Sequence, residues 1–390
     1  MAITDALQNK FKKQFAESLQ EALNPLSDDN YFLFFGKSTS WANDNVPPTV
    51  VDSVSEHFSA LRNGLFAIRI DSRNSMLVVP RIDWTTNTIY DEYDDALDLH
   101  DISTIKNYYV LVDGDRVYKC MSNNNGSRST DKPELDTTPI FSTGDGYKWK
   151  FLYKLTENQK DFLTKEYLPV IVANKTNDPV EQKQYDVQQN AVDGGLYRIE
   201  ITTSGSAYNN AVFSQNIPAN SPKAGTIVIE ISDTSGLSRT AGDYVNYMFY
   251  VSNGSGPEVG QLRKIVKYTR NTSTNNFEIT LDSPLDYGLT GLDSSGGSKS
   301  FFQILPQILI HGDGTDATGV VNVDANNKAA SVQILNTGKN YTKAYATFPT
   351  GNAGTDPTAR IYIAPKGGHG ANIINELDAS RIMIRLLNEN

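Results

Sequence analysis

Apolar residues recur at every fourth position through the first two dozen residues: Ile3, Leu7, Phe11, Phe15, Leu19 and Leu23. That spacing predicts a helix, with Thr4 or Asp5 in its first turn, Pro25 as its stop and a stripe that slants around its surface. Packing on its own domain is the simpler use of the stripe; docking on a neighbour is the alternative. The run Tyr31–Gly36 is apolar throughout and ends in glycine, which reads as a buried strand. Pro47-Pro48 breaks the chain. Thr49 or Asp52 then caps a second helix with Val51, Val54, Phe58, Leu61 and Leu65 on one face.

From Ala67 onward strand patterns dominate, at 76–79, 108–112, 117–121 and 147–155, with a polar loop or hairpin turn at 122–128. Residues 157–168 fit a short helix with Phe162, Leu163 and Tyr167 inward. Residues 174–193 are polar and poor in large aliphatic side chains, which reads as a linker. Beyond them the chain is rich in Gly, Ser, Thr and Asn, with short strand patterns typical of small β-sandwiches or barrels.

An internal repeat lies in this half. Ile199 and Ile201 lead to Gly205, Tyr208 and Ala211; Val332 and Ile334 lead to Gly338, Tyr341 and Ala344 at the same spacing. Each copy predicts a strand, a tight turn needing glycine at positive φ, and a tyrosine folded back over the turn. Between the copies, alternation at Ile227, Ile229 and Ile231, and again at Phe277, Ile279 and Leu281, marks an insertion with a glycine-rich exit at 294–298. The string Pro365-Lys366-Gly367-Gly368-His369-Gly370 reads as a flexible joint, and 373–387 as a helix or edge strand available to a neighbouring subunit.

Together these patterns predict a mainly β protein with a few helices. An α+β domain spans 1–175. Small sandwich- or barrel-like β-domains follow: one over 190–223 plus 303–366, carrying the repeat, and one inserted at 224–302. A C-terminal arm covers 367–390.

A chain of 390 residues exceeds one ordinary core, in keeping with that division. Its 20 tyrosines favour β-structure and wet interfaces. A formal charge of −10 gives nothing for phosphates to neutralise, so nucleic acid is not an expected partner. One cysteine, Cys120, allows no internal disulfide and fits synthesis in a reducing cytoplasm. The first 23 residues have no apolar leader core, and no run approaches the roughly 18 apolar residues of a membrane helix, so membrane insertion is not expected.

Searching for chemistry yields little. The histidines His57, His100, His311 and His369 lack metal-ligand spacing, and no nucleophile elbow, phosphate loop or dinucleotide fingerprint occurs. Cys120 reads as a buried small hydrophobe. The acidic run Asp91, Glu92, Asp94, Asp95 and Asp98, and the loop Gly312-Asp313-Gly314-Thr315-Asp316, read as solvated turns; a hard cation is the rival reading. No catalytic residue, metal or cofactor is assigned.

Three strings hold all three tryptophans: Phe35-Gly36 with Trp41, Pro80-Arg81-Ile82-Asp83-Trp84, and Gly144-Asp145-Gly146-Tyr147-Lys148-Trp149. Trp41 can clamp a loop against the core. Arg81 and Asp83 share a face where each can pair across strands, with Ile82 and Trp84 opposite. Gly144 and Gly146 permit a tight turn in which Asp145 bonds local amides. Tyr147 and Trp149 then share one face, and Lys148 and Lys150 the other. All are read as interaction or structural anchors, with intradomain packing the simpler role.

These strings resemble the baseplate wedge subunits of T-even-type contractile-tailed bacteriophages, specifically the dimeric wedge protein of the outer baseplate. The matching features, in order, are Phe35-Gly36-Lys37 with Trp41, Pro47-Pro48 before Asp52-Ser53-Val54, the string 80–84, Val117-Tyr118 with Cys120, Gly144-Asp145-Gly146-Tyr147 with Trp149 and Leu152, and Glu166-Tyr167. They span residues 30–172. The second half, with its Gly-Gly-His-Gly string at 367–370, looks more like the longer wedge proteins of marine phages. The resemblance implies a virion structural protein without catalytic residues, a homodimer that also binds other wedge proteins in the tail baseplate. Two other functions stay open: a receptor- or glycan-binding tail protein stacking sugars on Tyr244, Tyr247, Phe249 and Tyr250, and an enzyme acting on surface polysaccharide.

Overall fold

The computed structural model describes residues 3–23, 30–36, 40–49, 51–94, 97, 99, 106–173, 178–208, 215–216, 222–231, 237–254, 256–289, 300–349 and 354–386. Strand accounts for 38% of the chain and helix for 13%, so the fold is mainly β with a few helices. The chain forms two compact units, Met1–Ala191 with His369–Asn390, and Val192–Gly368.

The first unit opens with α1 (Ile3–Ala22), which packs on β3 (Ser75–Pro80). Ala16 and Leu23 are buried, while Phe11 and Phe15 of the predicted stripe face solvent. A step of four drifts around a helix of 3.6 residues per turn, so the buried line leaves the stripe. β1 (Tyr31–Gly36) pairs antiparallel with β2 (Gly64–Ile70). β1 alternates between half-buried and exposed residues, where the sequence predicts a buried strand, because this sheet has only two strands. Between them, α2 (Val54–Arg62) is capped by Ser53, whose Oγ accepts the Glu56 amide at 3.2 Å.

β4 (Tyr109–Val112), β5 (Arg116–Ser122), β6 (Phe141–Ser142) and β7 (Lys148–Lys154) form an antiparallel sheet in the order β4-β5-β7-β6. Tyr109 and Leu111 enter one apolar cluster with Leu77, Val79 and Tyr153. Val110 and Val112 enter another with Tyr118, Trp149 and Phe151. Both faces of β4 are therefore covered, which is why it reads as a continuous apolar run. The predicted helix at 157–168 is one turn, α3 (Glu157–Lys160), after which β8 (Tyr167–Pro169) joins β3.

The segment predicted as a linker carries α4 (Pro179–Gln189). Asp178 caps it, with Oδ1 accepting the amides of Val180 at 2.8 Å and Glu181 at 3.1 Å, and Pro179 opens the first turn. Val187 and Gln184 are its buried residues. One aliphatic contact is too weak a pattern to announce a helix.

The second unit contains β9 (Leu196–Thr203), β10 (Gln215–Asn216), β11 (Val228–Ile231), β12 (Met248–Asn253), β13 (Leu262–Arg270), β14 (Phe277–Leu281), β15 (Phe301–Leu305), β16 (Leu309–Gly312), β17 (Thr315–Val323), β18 (Ala329–Lys339), β19 (Ala344–Thr347) and β20 (Thr358–Ile363). An antiparallel sheet ordered β10-β15-β12-β13-β14-β11 encloses Ile229, Ile231, Phe249, Phe277 and Ile279. A separate core of Ile199, Tyr208, Val321 and Phe348 serves the pairs β9–β20, β17–β18 and β16–β19. The exit at 294–298 lies outside the described residues.

The repeat is a structural one. Gly205 and Gly338 both have φ of 61°, and the residues two further on, Ala207 and Asn340, are also left-handed at 64° and 61°. A Cβ on Gly205 would lie 2.5 Å from Thr355 O and 2.7 Å from Pro357 N; on Gly338, 2.5 Å from Thr315 O and 2.7 Å from Ala317 N. Gly205 follows the end of β9, whereas Gly338 lies inside β18, where Thr337 and Lys339 pair with Ala317 and Thr315, so the second copy keeps the left-handed glycine without the predicted tight turn; Tyr208 and Tyr341 are both buried.

The chain then returns to the first unit with α5 (Ile373–Glu376) and β21 (Arg381–Ile384). β21 pairs with β3, completing the sheet β21-β3-β8, and Ile373, Leu377 and Ala379 lie in the core. The segment expected as an arm for a neighbour is thus seated in its own chain. Nor is 365–370 a loose joint. Gly367, Gly368 and Gly370 are all left-handed, and a Cβ on Gly368 would sit 2.4 Å from Val192 N.

Gly338→Ala is expected to lower stability by roughly 2–4 kcal/mol, because a left-handed alanine also meets backbone. Gly225→Ala, left-handed at φ 86° but with open space, is expected to cost only about 1 kcal/mol. Urea unfolding of the two variants checks the difference.

Candidate functional site

Two of the three tryptophan strings meet around one carboxylate. In the β6–β7 turn, Gly146 is left-handed at φ 84° and its amide donates to Thr143 O at 3.0 Å. Asp145 Oδ1 accepts from Thr143 Oγ1 at 2.5 Å and the Tyr147 amide at 3.1 Å. Its Oδ2 accepts from Ser129 Oγ at 3.0 Å and the amides of Thr130 at 2.8 Å and Asp131 at 3.0 Å. Burial pushes the carboxyl up, but the Thr143 hydroxyl and the amides of Asp131, Thr130 and Tyr147 outweigh it and hold the group below its ordinary value. Trp84 Nε1 donates to Ser129 Oγ at 3.2 Å, joining the second string to the third. Behind them Tyr147 stacks on Trp149 at 5.5 Å, and Tyr90 meets Trp149 edge-on at 5.7 Å. Gly144 and Gly146 leave room for Asp131 and Asn124 side chains respectively.

Arg81 and Asp83 bond each other rather than partners across strands, Arg81 Nε lying 3.0 Å from both Asp83 oxygens. Arg81 Nη1 also donates to Thr164 O at 3.0 Å. The chain here bridges to β4: the Trp84 amide donates to Leu111 O at 2.9 Å and the Leu111 amide to Ile82 O at 2.7 Å. Ile82 and Trp84 pack against the same cluster, on the shared face the alternation predicts.

The first string lies elsewhere, on β1 and the loop after it. Phe35 stacks on Phe66 at 4.5 Å, and Gly36 approaches Asn63 O. Trp41 is 45% exposed and does not clamp its loop to the core; its amide donates to Asp44 Oδ1 at 2.7 Å, a local turn. Lys37 lies outside the described residues.

A second polar cluster was not legible in the sequence. Lys119 on β5 is fully buried. Its Nζ bonds Glu376 of α5 and lies 2.8 Å from His369 Nδ1 and 4.0 Å over the Tyr93 ring. Glu376 Oε1 also accepts the Gly370 amide at 2.7 Å. Burial works against the Glu376 charge, but Lys119 and His369 outweigh it and bring the carboxyl down to about 2. Burial and the Lys119 charge bring His369 down to about 3, and likewise Lys150 down to about 8. Lys150, predicted to share an open face with Lys148, is buried and donates to Thr138 O. The one available signal was a lysine set between Tyr118 and Cys120 in an apolar run.

Cys120 is buried, and burial pushes its thiol well up, as fits a small hydrophobe. Asp313 accepts the amides of Thr342 at 2.8 Å and Lys343 at 3.0 Å, while the Tyr341 ring covers Gly312 and Gly314, so this loop is a seat for the repeat's tyrosine. Asp91 accepts the amides of Lys106 and Asn107, and Glu92 that of Asn123; Asp95 and Asp98 lie outside the described residues. Among the described residues no group of three or more His, Cys, Asp or Glu side chains is placed to hold a metal. Tyr244, Tyr247 and Phe249 are buried in the second unit's core, so those three rings present no face to a sugar. Among the described residues no helix is long and apolar enough to cross a membrane. No family model matches the chain, and no curated protein or solved structure matches it either.

Asp145→Ala is expected to destabilise the first unit by roughly 2–3 kcal/mol, since three amides lose their acceptor, and Ser129→Ala by about 1 kcal/mol. Tryptophan fluorescence during urea unfolding reads both.

Acid should act through the second cluster. Folded His369 and Glu376 both titrate below their ordinary values, so the unfolded chain binds more protons as pH falls. The His369 contribution is complete above its unfolded value of 6.5 and is lost as pH falls toward about 3; that of Glu376 is lost from 4.5 toward about 2. Melting temperature should therefore fall below pH 6.5, and His369→Gln should flatten the upper part of that slope.

Proposed function

We propose that the protein is a structural subunit of a bacteriophage tail baseplate, a wedge protein that binds itself and other wedge proteins and works in the virion. The observation that carries this reading is the apolar surface left open on α2 and the β1–β2 sheet, where Val54, Phe58 and Leu61 face water. Soluble chains rarely expose contiguous apolar patches beyond a few hundred Å2 unless something covers them. The ordered strings over 30–172 supply the kind of assembly. The Asp145 turn supports it further, because the residues that carry the resemblance lock loops rather than line a cleft. Rigid loops suit a part that holds neighbours in register. Chemistry at this site is limited to hydrogen bonding and packing, and the mechanism proposed is positional: fixed surfaces, assembled once.

Co-expression with the other wedge proteins of the same tail, followed by affinity capture and light scattering, tests the proposal. Capture of at least one of them in fixed stoichiometry is expected. A chain that captures none of them overturns the assignment.

A further inference from the structure

Lys119 of β5 and Lys150 of β7 are cross-strand partners, and both side chains are buried. Like charges set opposite each other repel, and an apolar setting strengthens the repulsion. Lys150 turns to a carbonyl, Thr138 O, while Lys119 meets the carboxylate of Glu376. Lys119 is 0% exposed, Glu376 2% and His369 7%, so this meeting takes place away from bulk water. An ion pair in such a place carries the desolvation cost of both its charges. Joining the two groups as an amide removes both charges at once.

The other parts of that reaction stand around them. Lys119 Nζ bonds Glu376 Oε2, which sets the amine against the carboxyl carbon. Oε1 accepts the Gly370 amide at 2.7 Å, a fixed donor for the charge this oxygen gains when the carbon becomes tetrahedral. A side chain on Gly370 would meet Val187 Cγ1 at 2.5 Å and Lys150 Cε at 3.4 Å, so glycine is what lets this amide approach. His369 Nδ1 lies 2.8 Å from Lys119 Nζ and 3.9 Å from Glu376 Oε2, between the atom that must lose protons and the atom that must gain them. Burial and the Lys119 charge hold the ring neutral, with Nδ1 as acceptor. The Tyr93 ring closes the remaining side, 4.0 Å from Nζ and edge-on to His369 at 5.6 Å.

The geometry points to an isopeptide bond between Lys119 Nζ and Glu376 Cδ, formed by the folded chain on itself. One ammonium proton passes to Oε2, giving an amine and a carboxylic acid. The amine attacks Cδ, and negative charge gathers on Oε1 under the Gly370 amide. His369 takes a second proton from Nζ and hands it to Oε2, which leaves as water while the Cδ–Oε1 double bond re-forms. The third proton stays on the amide nitrogen. Contact between amine and acid supplies the proximity, and exclusion of water protects the product from hydrolysis. The product keeps its contacts: Oε1 still accepts from Gly370, and the new N–H donates to His369. The bond closes residues 119–376 into a covalent ring. In the joined chain Glu376 no longer titrates, so the part of the acid slope assigned to it belongs to the unjoined chain.

Intact-mass spectrometry of the purified full chain tests this. The wild type is expected to weigh less than its sequence by one water molecule. Tryptic digestion should yield a branched peptide joining the segments around Lys119 and Glu376. His369→Gln should form the same bond roughly a hundredfold more slowly, followed by mass during cell-free synthesis. A folded wild type that keeps its full sequence mass after prolonged incubation at neutral pH overturns the inference. A water loss without the branched peptide, as succinimide formation at an aspartate gives, also overturns it. Bond formation at the wild-type rate in His369→Gln overturns the route through His369.

Discussion

A charge inside an apolar sheet has to be neutralised where it stands, and the first unit is organised around that requirement. Lys119 projects from β5 into the core, where an unpaired ammonium would cost several kcal/mol. Its counter-charge comes from Glu376, at the far end of the chain. Meeting it requires α5 to dock, which brings β21 against β3 and places Ile373, Leu377 and Ala379 in the cluster with Leu77 and Val79. The ion pair itself is a weak source of stability beside a hydrophobic equivalent. In this placement of the C-terminal segment Lys119 and Glu376 satisfy each other, and the second Glu376 oxygen takes the Gly370 amide.

The Asp145 turn applies the same logic at smaller scale. Five donors from two separate stretches converge on one carboxylate, and the Trp84 indole joins through Ser129. Hydrogen bonds to an ionised acceptor are among the stronger ones, and the stacked pair Tyr147–Trp149 closes the apolar side. Loops that would otherwise wander are fixed from both ends. The segment of β1, α2 and β2 is the opposite case, with Phe32, Phe58 and Leu61 left exposed.

Local chemistry was readable in the sequence and distant chemistry was not. The left-handed backbone at Gly205 and Gly338 follows from glycine's unique tolerance of that conformation, a property of a few adjacent residues. The Asp145 turn was legible for the same reason, and so was the β-rich class. The partner of Lys119 was invisible because it lies 257 positions away. α4 was hidden by its own polarity, with Val187 and Gln184 its only buried residues. The apolar run of β1 suggested burial because pattern alone records that a strand can be covered, and says nothing of whether a layer exists to cover it. The glycines at 367–370 were mistaken for slack, whereas a methyl group on Gly368 or Gly370 would collide with Val192 or Val187.

The second unit begins at Val192 and ends at Gly368, and those two residues touch backbone to backbone. A module whose entry and exit coincide can grow, shrink or be replaced without stretching the host that carries it. Its own contents bear this out in miniature, since β9 and β20, the strands nearest those ends, are paired with each other. A change of length or content inside Val192–Gly368 therefore leaves unaltered the spacing of the two chain ends that the residues around Lys119 and Asp145 must meet.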